Sequence, residues 1–193
     1  MKTISSKKVT YMPRWLQALS KVLDKMDKSN LYYPRALGLF QRAKELIEIS
    51  QRDSAQFDEL LKSSLYQNYF EKARMYLKHF VVALSMMVER GEISIADCSV
   101  YKFPEGRIAL PDIESDYDLD KWCRRIIEGE EIRVRTNQNE RVYNPSSIQL
   151  KAVYDNFSTY YQLMQTERER CKNSQLALAD ICVEVNNFLA KLN

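Results

Sequence analysis

The chain has 193 residues, with 29 Lys or Arg, 26 Asp or Glu and a single His. That length fits one domain, and 45% hydrophobic against 28% charged residues is a globular balance rather than a disordered one. Four Gly and five Pro are too few for the turns of a dinucleotide-binding fold, a phosphate-loop enzyme or a β-sandwich, so long helices are expected.

Met1 to Trp15 carries lysines but no apolar core of about 7–15 residues, so no secretory signal is expected. The longest near-apolar run, Phe80 to Val88, is under half of the roughly 20 residues that span a bilayer. Cys98, Cys123, Cys171 and Cys182 form no CxxC pair and show no zinc spacing. The expectation is reduced thiols in a cytoplasmic protein, with no metal and no cofactor. Residues 1–52 hold 11 basic and 4 acidic side chains, net +7, and residues 91–146 hold 8 and 12, net −4. A basic first third is either a nucleic-acid face or the partner of the acidic middle.

The first predicted helix covers about 13–51. Leu16, Leu19, Leu23, Met26, Tyr33, Leu37, Phe40 and Ile47 keep a 3/4 spacing that passes through Pro34 without a slip. The unbroken register favours one helix kinked at Pro34; the alternative is a break at Ser29-Asn30 with Pro34 in a new first turn. A second helix is expected from Asp53, as N-cap, to about Glu89. It carries Tyr66, Phe70, Ala73, Leu77, Phe80, Leu84 and Met87, with Gly91 as its C-cap. Phe57, Leu61 and Leu65 lie on a drifting face of it.

Residues 92–145 read as an irregular insertion. Glu92 to Ile95 and Ser99 to Phe103 alternate at period two, as strands do. A short helix over Asp118 to Glu128 turns Trp122, Ile126 and Ile127 inward and ends at Gly129. Ile132 to Arg135 and Arg141 to Tyr143 flank Thr136 to Glu140 as a β-hairpin. The last helix is the plainest. From Leu150 to Leu192, eleven of thirteen 3/4 positions are apolar or aromatic, Ile181 and Phe188 among them. Asn144-Pro145-Ser146 supplies its start, and a helix over about 146–191 is roughly 69 Å long.

Chemistry-bearing motifs are few. His79 lacks a second His or an upstream Glu for a di-iron site, and it reads as a boundary or surface residue. The run Asp112 to Asp120 puts Tyr117 where a calcium loop needs Gly, so its carboxylates read as helix-capping charge. Arg133, Arg135 and Arg141 are candidate anion contacts, set against the plainer reading of arginines on a solvated hairpin. Lys7, Lys8, Arg14, Lys21, Lys25 and Lys28 are the candidate nucleic-acid face, with Tyr11 and Trp15 available to stack on bases.

The segment Leu119 to Glu130, the hairpin, Asn144-Pro145-Ser146 and the long helix after it together resemble uncharacterised bacterial long-helix bundle proteins of unknown function. The resemblance covers about the last 75 residues and implies architecture only. The whole reads as one all-α domain, an elongated antiparallel up-down bundle of three long helices, or four if the first breaks at Pro34. The insertion at 92–145 carries the short helix and hairpin. The expected function is a non-enzymatic interaction or scaffold protein; nucleic-acid association through the basic face is the alternative. Leu31, Tyr32, Leu39, Leu46, Tyr69, Met75, Val81, Val82 and Ile148 fall outside the seam, and a homodimer through helix faces would cover them.

Overall fold

A computed structural model describes residues 12–104, 107–110, 112–137 and 140–192. Within them the chain is all-α, with five α-helices, one 3-10 helix and no strand. The helices are α1 (Arg14–Lys25), α2 (Tyr33–Leu61), α3 (Ser64–Glu89), α4 (Asp116–Asn137) and α5 (Ser147–Leu192). The 3-10 helix is Ile95–Tyr101.

The expected kinked first helix is instead two helices. Two side chains end α1's run by capturing backbone N–H groups. Asp27 Oδ1 accepts from Ser29 N at 2.8 Å, and Asn30 Oδ1 accepts from Tyr32 N at 2.9 Å. Asp and Asn offer the backbone this local alternative to a helix. The chain restarts with Pro34 as the second residue of α2. There a missing N–H costs nothing, because first-turn donors have no intrahelical partner.

The expected N-cap and hairpin link at Arg52-Asp53 is also wrong. Asp53 lies inside α2 and is only 3% exposed; the link is Lys62-Ser63. The drifting face therefore has a simple cause. Phe57 and Leu61 belong to α2, and Leu65 belongs to α3. Gly91, at φ 75°, closes α3 as expected, with the Gly91 and Glu92 N–H groups returning to Val88 and Met87 carbonyls.

The segment 92–145 is mostly helical, not strand and hairpin. Ser94 Oγ accepts from Ala96 N and starts a 3-10 turn. Ile93 is buried while Ile95 is 55% exposed, so the period-two pattern does not describe a face. In α4, Ser115 Oγ accepts from Asp118 N, and Asp116 and Asp118 charge the first turn, as the capping reading expected. Trp122, Ile126 and Ile127 are buried. The helix then runs through Gly129 to Asn137, so Gly129 is no C-cap. Residues 132–135, expected as a strand, are helical; the expected turn residues Gln138 and Asn139 lie outside the described residues. α5 begins with a reciprocal cap. Ser146 N donates to Gln149 Oε1 at 2.9 Å, and Gln149 N donates to Ser146 Oγ at 3.3 Å.

The chain divides into two compact units. One comprises Met1–Asp58 and Glu167–Asn193, the other Glu59–Thr166. The core of the first is Leu16 and Leu19 of α1, Ala36, Leu39, Ala43 and Ile47 of α2, and Ile181, Val185 and Phe188 of α5. Beyond Ile47 buried positions turn polar, at Ser50, Asp53 and Ser174. In the second unit α3 and the 3-10 helix both pack on α4. Aromatic rings gather on the buried Phe157 of α5. Tyr66, Phe70, Tyr154 and Tyr161 have ring centroids within 6.4 Å of it. The Tyr154 hydroxyl reaches the rim, where it donates to Asp120 Oδ1 at 2.7 Å and accepts from Arg124 Nε at 2.8 Å.

Candidate functional site

Of the three candidate anion contacts, the fold separates one from the others. Arg135 and Arg141 are exposed, whereas Arg133 is fully buried and is not on a solvated hairpin. Its place follows from helical spacing. Ile126, Glu130 and Arg133 share a face of α4 at four and three residues, so Glu130 and Arg133 enter the interior together.

Glu130 Oε2 accepts from Arg133 Nε at 2.9 Å and Oε1 accepts from Arg133 Nη2 at 3.0 Å. The Tyr101 hydroxyl donates to Oε2, and the Val142 N–H donates to Oε1 at 2.8 Å. Arg133 Nη2 also donates to the Glu140 carbonyl at 2.7 Å. One buried ion pair thus ties the 3-10 helix, α4 and the chain entering α5. Burial works against the Arg133 charge, but the bonds to Glu130 and Tyr101 outweigh it and hold the guanidinium above its ordinary value. Burial first, and the negative Glu130 second, push the Tyr101 phenol far above its ordinary range. Gly129 makes room for this arrangement. A Cβ there would lie 2.6 Å from Tyr101 Cδ1. Both carboxylate oxygens are fully engaged, which suits a clasp that holds chain segments together. Arg133 Nη1 is its one nitrogen with no hydrogen-bond partner among the described residues.

Burial takes two of the cysteines out of reach. Cys98 and Cys123 are buried thiols, and burial raises Cys98 to about 11. His79 is exposed on α3. Among the described residues no group of three or more His, Cys, Asp or Glu is placed to hold a metal. No helix among them is long and apolar enough to cross a membrane.

The basic face survives in part. Lys7 and Lys8 lie outside the described residues. Arg14, Lys21 and Lys25 are exposed on α1 at seven- and four-residue spacing, opposite the buried Leu16 and Leu19. Lys28 follows the helix, exposed in the turn.

The apolar side chains left outside the predicted seam divide. Leu39 and Val81 are core, while Leu31, Tyr32, Met75, Val82 and Ile148 are exposed. One of these, Val82, belongs to a groove that sequence reasoning missed. The groove, of about 490 Å³, runs between the outer face of α3 and residues 108–110 with Asp112. Val82, at 57% exposure, and Met86, at 50%, line it with Ile108 and Leu110. Lys78, Glu89 and Asp112 are its charged groups. A neighbouring hollow of about 310 Å³ shares Ile108 and adds Ile95 and Phe103. The available signal was the repeat Met75, Val82, Met86 at seven and four residues, a second stripe behind the α3 seam. Compared with family models, curated proteins and solved structures, the chain matches none of them.

Proposed function

We propose that this chain is a non-enzymatic protein-interaction module and that the α3 groove is its docking surface. The observation that carries the reading is the pair Val82 and Met86, two large apolar side chains half in water beside a concave apolar wall. Exposed apolar patches next to charged rims mark partner sites, and flexible Met suits such surfaces. The reading keeps a bacterial, cytoplasmic setting; the four unbonded cysteines support the reducing compartment.

The test is a displayed library of amphipathic helical peptides. Binders are expected to lose about tenfold or more in affinity on Met86→Asp, which is about 1.4 kcal/mol. They should be indifferent to Ile148→Asp, a change at a more exposed apolar side chain on α5. Binders that respond alike to both changes would overturn the reading.

A second reading, nucleic-acid association, is favoured by Arg14, Lys21 and Lys25 sharing one exposed face of α1. Its mark is affinity that falls steeply with salt and drops further on Lys21→Glu/Lys25→Glu. Salt-independent or absent binding of duplex and single-stranded probes removes it.

A further inference from the structure

We propose that the groove's occupant is a second copy of this chain, α3 lying antiparallel on α3 about a two-fold axis. In this pairing Lys78 of each copy meets Glu89 of the other. The proposal rests on the docking reading and deepens it by naming the partner.

The argument is one of register and charge. Met75, Val82 and Met86 recur on one side of α3 at the spacing of a helix-packing stripe, opposite the buried Leu77, Phe80 and Leu84. The exposed Lys78 and Glu89 flank Val82 and Met86 along the same groove, eleven residues apart and opposite in sign. Laid antiparallel with Val82 of one copy facing Met86 of the other, the two helices bring each Lys78 level with the other copy's Arg90, whose guanidinium is held by Glu92 of its own chain and lies about 100° around the helix from Glu89. Glu89 is the immediate neighbour of Arg90 in the chain, so apolar and charge registers agree within one residue, about 1.5 Å of rise. A parallel pairing about a two-fold axis would put this flank of the two helices on opposite sides of the seam, where Lys78 and Glu89 do not meet. The charge pairs are therefore gained only in the antiparallel arrangement, and a two-fold axis closes it at two copies. One helix face per copy falls in the small class of interfaces, below about 1,200 Å² in total, where association is weak and concentration-dependent.

Sedimentation equilibrium over a concentration series tests this, with circular dichroism to show that each variant is folded. The native chain's mass should climb from 22.8 kDa toward twice that value. Lys78→Glu alone creates two Glu–Glu meetings and Glu89→Lys alone two Lys–Lys meetings, so each should hold the protein at the monomer mass. The double exchange Lys78→Glu/Glu89→Lys restores both pairs and should restore the dimer. A native chain that stays monomeric, single variants that dimerise as well as the parent, or a double variant that fails to recover would each overturn the proposal. The docking reading fails separately. If the native chain is monomeric while peptide binders still depend on Met86, the groove takes a different sequence and only self-pairing falls. If the binders also ignore Met86, both fall.

Discussion

Gly38 and Gly129 each lie inside a helix, and a methyl group would act on them in opposite ways. Nothing lies within 4 Å of a Cβ at Gly38, so Gly38→Ala should gain about 0.5–1 kcal/mol of helix propensity. At Gly129 the Cβ meets a Tyr101 ring pinned by Glu130 and Arg133, and Tyr101 Cα stands only 3.4 Å away. Overpacking of that kind costs about 1–3 kcal/mol and exceeds the propensity gain, so Gly129→Ala should destabilise. Urea titration of the pair reads both signs. The buried ion pair makes a sharper case. Arg133→Met alone leaves Glu130 charged and unpaired in the interior and should cost about 3–5 kcal/mol. Adding Glu130→Leu removes the stranded charge, so the double variant should be more stable than the single one; equal stability would mean that Glu130 keeps another counter-charge. Sequence singled out Arg133 but placed it in solvent. Nothing in a one-residue view distinguishes it from Arg135; the distinction is the helical phase that sets Arg133 three residues after Glu130.

The helices were legible where the apolar period was long and unbroken. α5 keeps its period over eleven turns or more, so its limits and its buried Ile181 and Phe188 follow from spacing alone. Phe188→Ala should cost about 3–5 kcal/mol, measured as a lowered urea midpoint. Short patterns misled. Ile132 and Val134 favour strands by β-branching, yet the Glu130–Arg133 pair and buried Ile126 and Ile127 hold that stretch in α4. The break after α1 was hidden by a coincidence of phase. The turn at 27–32 returns the chain with its apolar positions still in step, while Asp27 and Asn30 quietly end the helix. Pro34→Ala checks this directly. In a kinked helix it would restore a hydrogen bond worth part of about 3 kcal/mol. At the start of α2 it should instead change stability by under about 1 kcal/mol, and slightly downward, because proline restrains the unfolded chain.

Alkaline pH bears on the whole molecule through its buried acids. Cys98 rises from its ordinary 9.0 to about 11, and burial raises Cys123 and Tyr101 further in the same direction. Between those limits the folded chain keeps the Cys98 proton while the unfolded chain releases it. Unfolded molecules then bind fewer protons, so stability falls as pH rises through this window, by about 2–3 kcal/mol for Cys98 alone at pH 11. Melting temperature followed from pH 8.5 to 11 should drop less steeply in Cys98→Ala than in the parent. The groove escaped sequence reading because it needs α3 and residues 108–110 at once, and no local pattern connects them. The division into two units was equally hidden, because α5 gives its residues to both: those up to Thr166 to one, those from Glu167 to the other. This has a consequence for synthesis on the ribosome. Residues 59–166 are contiguous and all present once residue 166 has emerged, but α1 and α2 are made before them and lack their third helix until residue 188 has appeared. Nascent chains arrested after Thr166 should resist protease within α3, α4 and the part of α5 up to Thr166, and be cut within α1 and α2. α1 and α2 are thus translated before the second unit and completed after it.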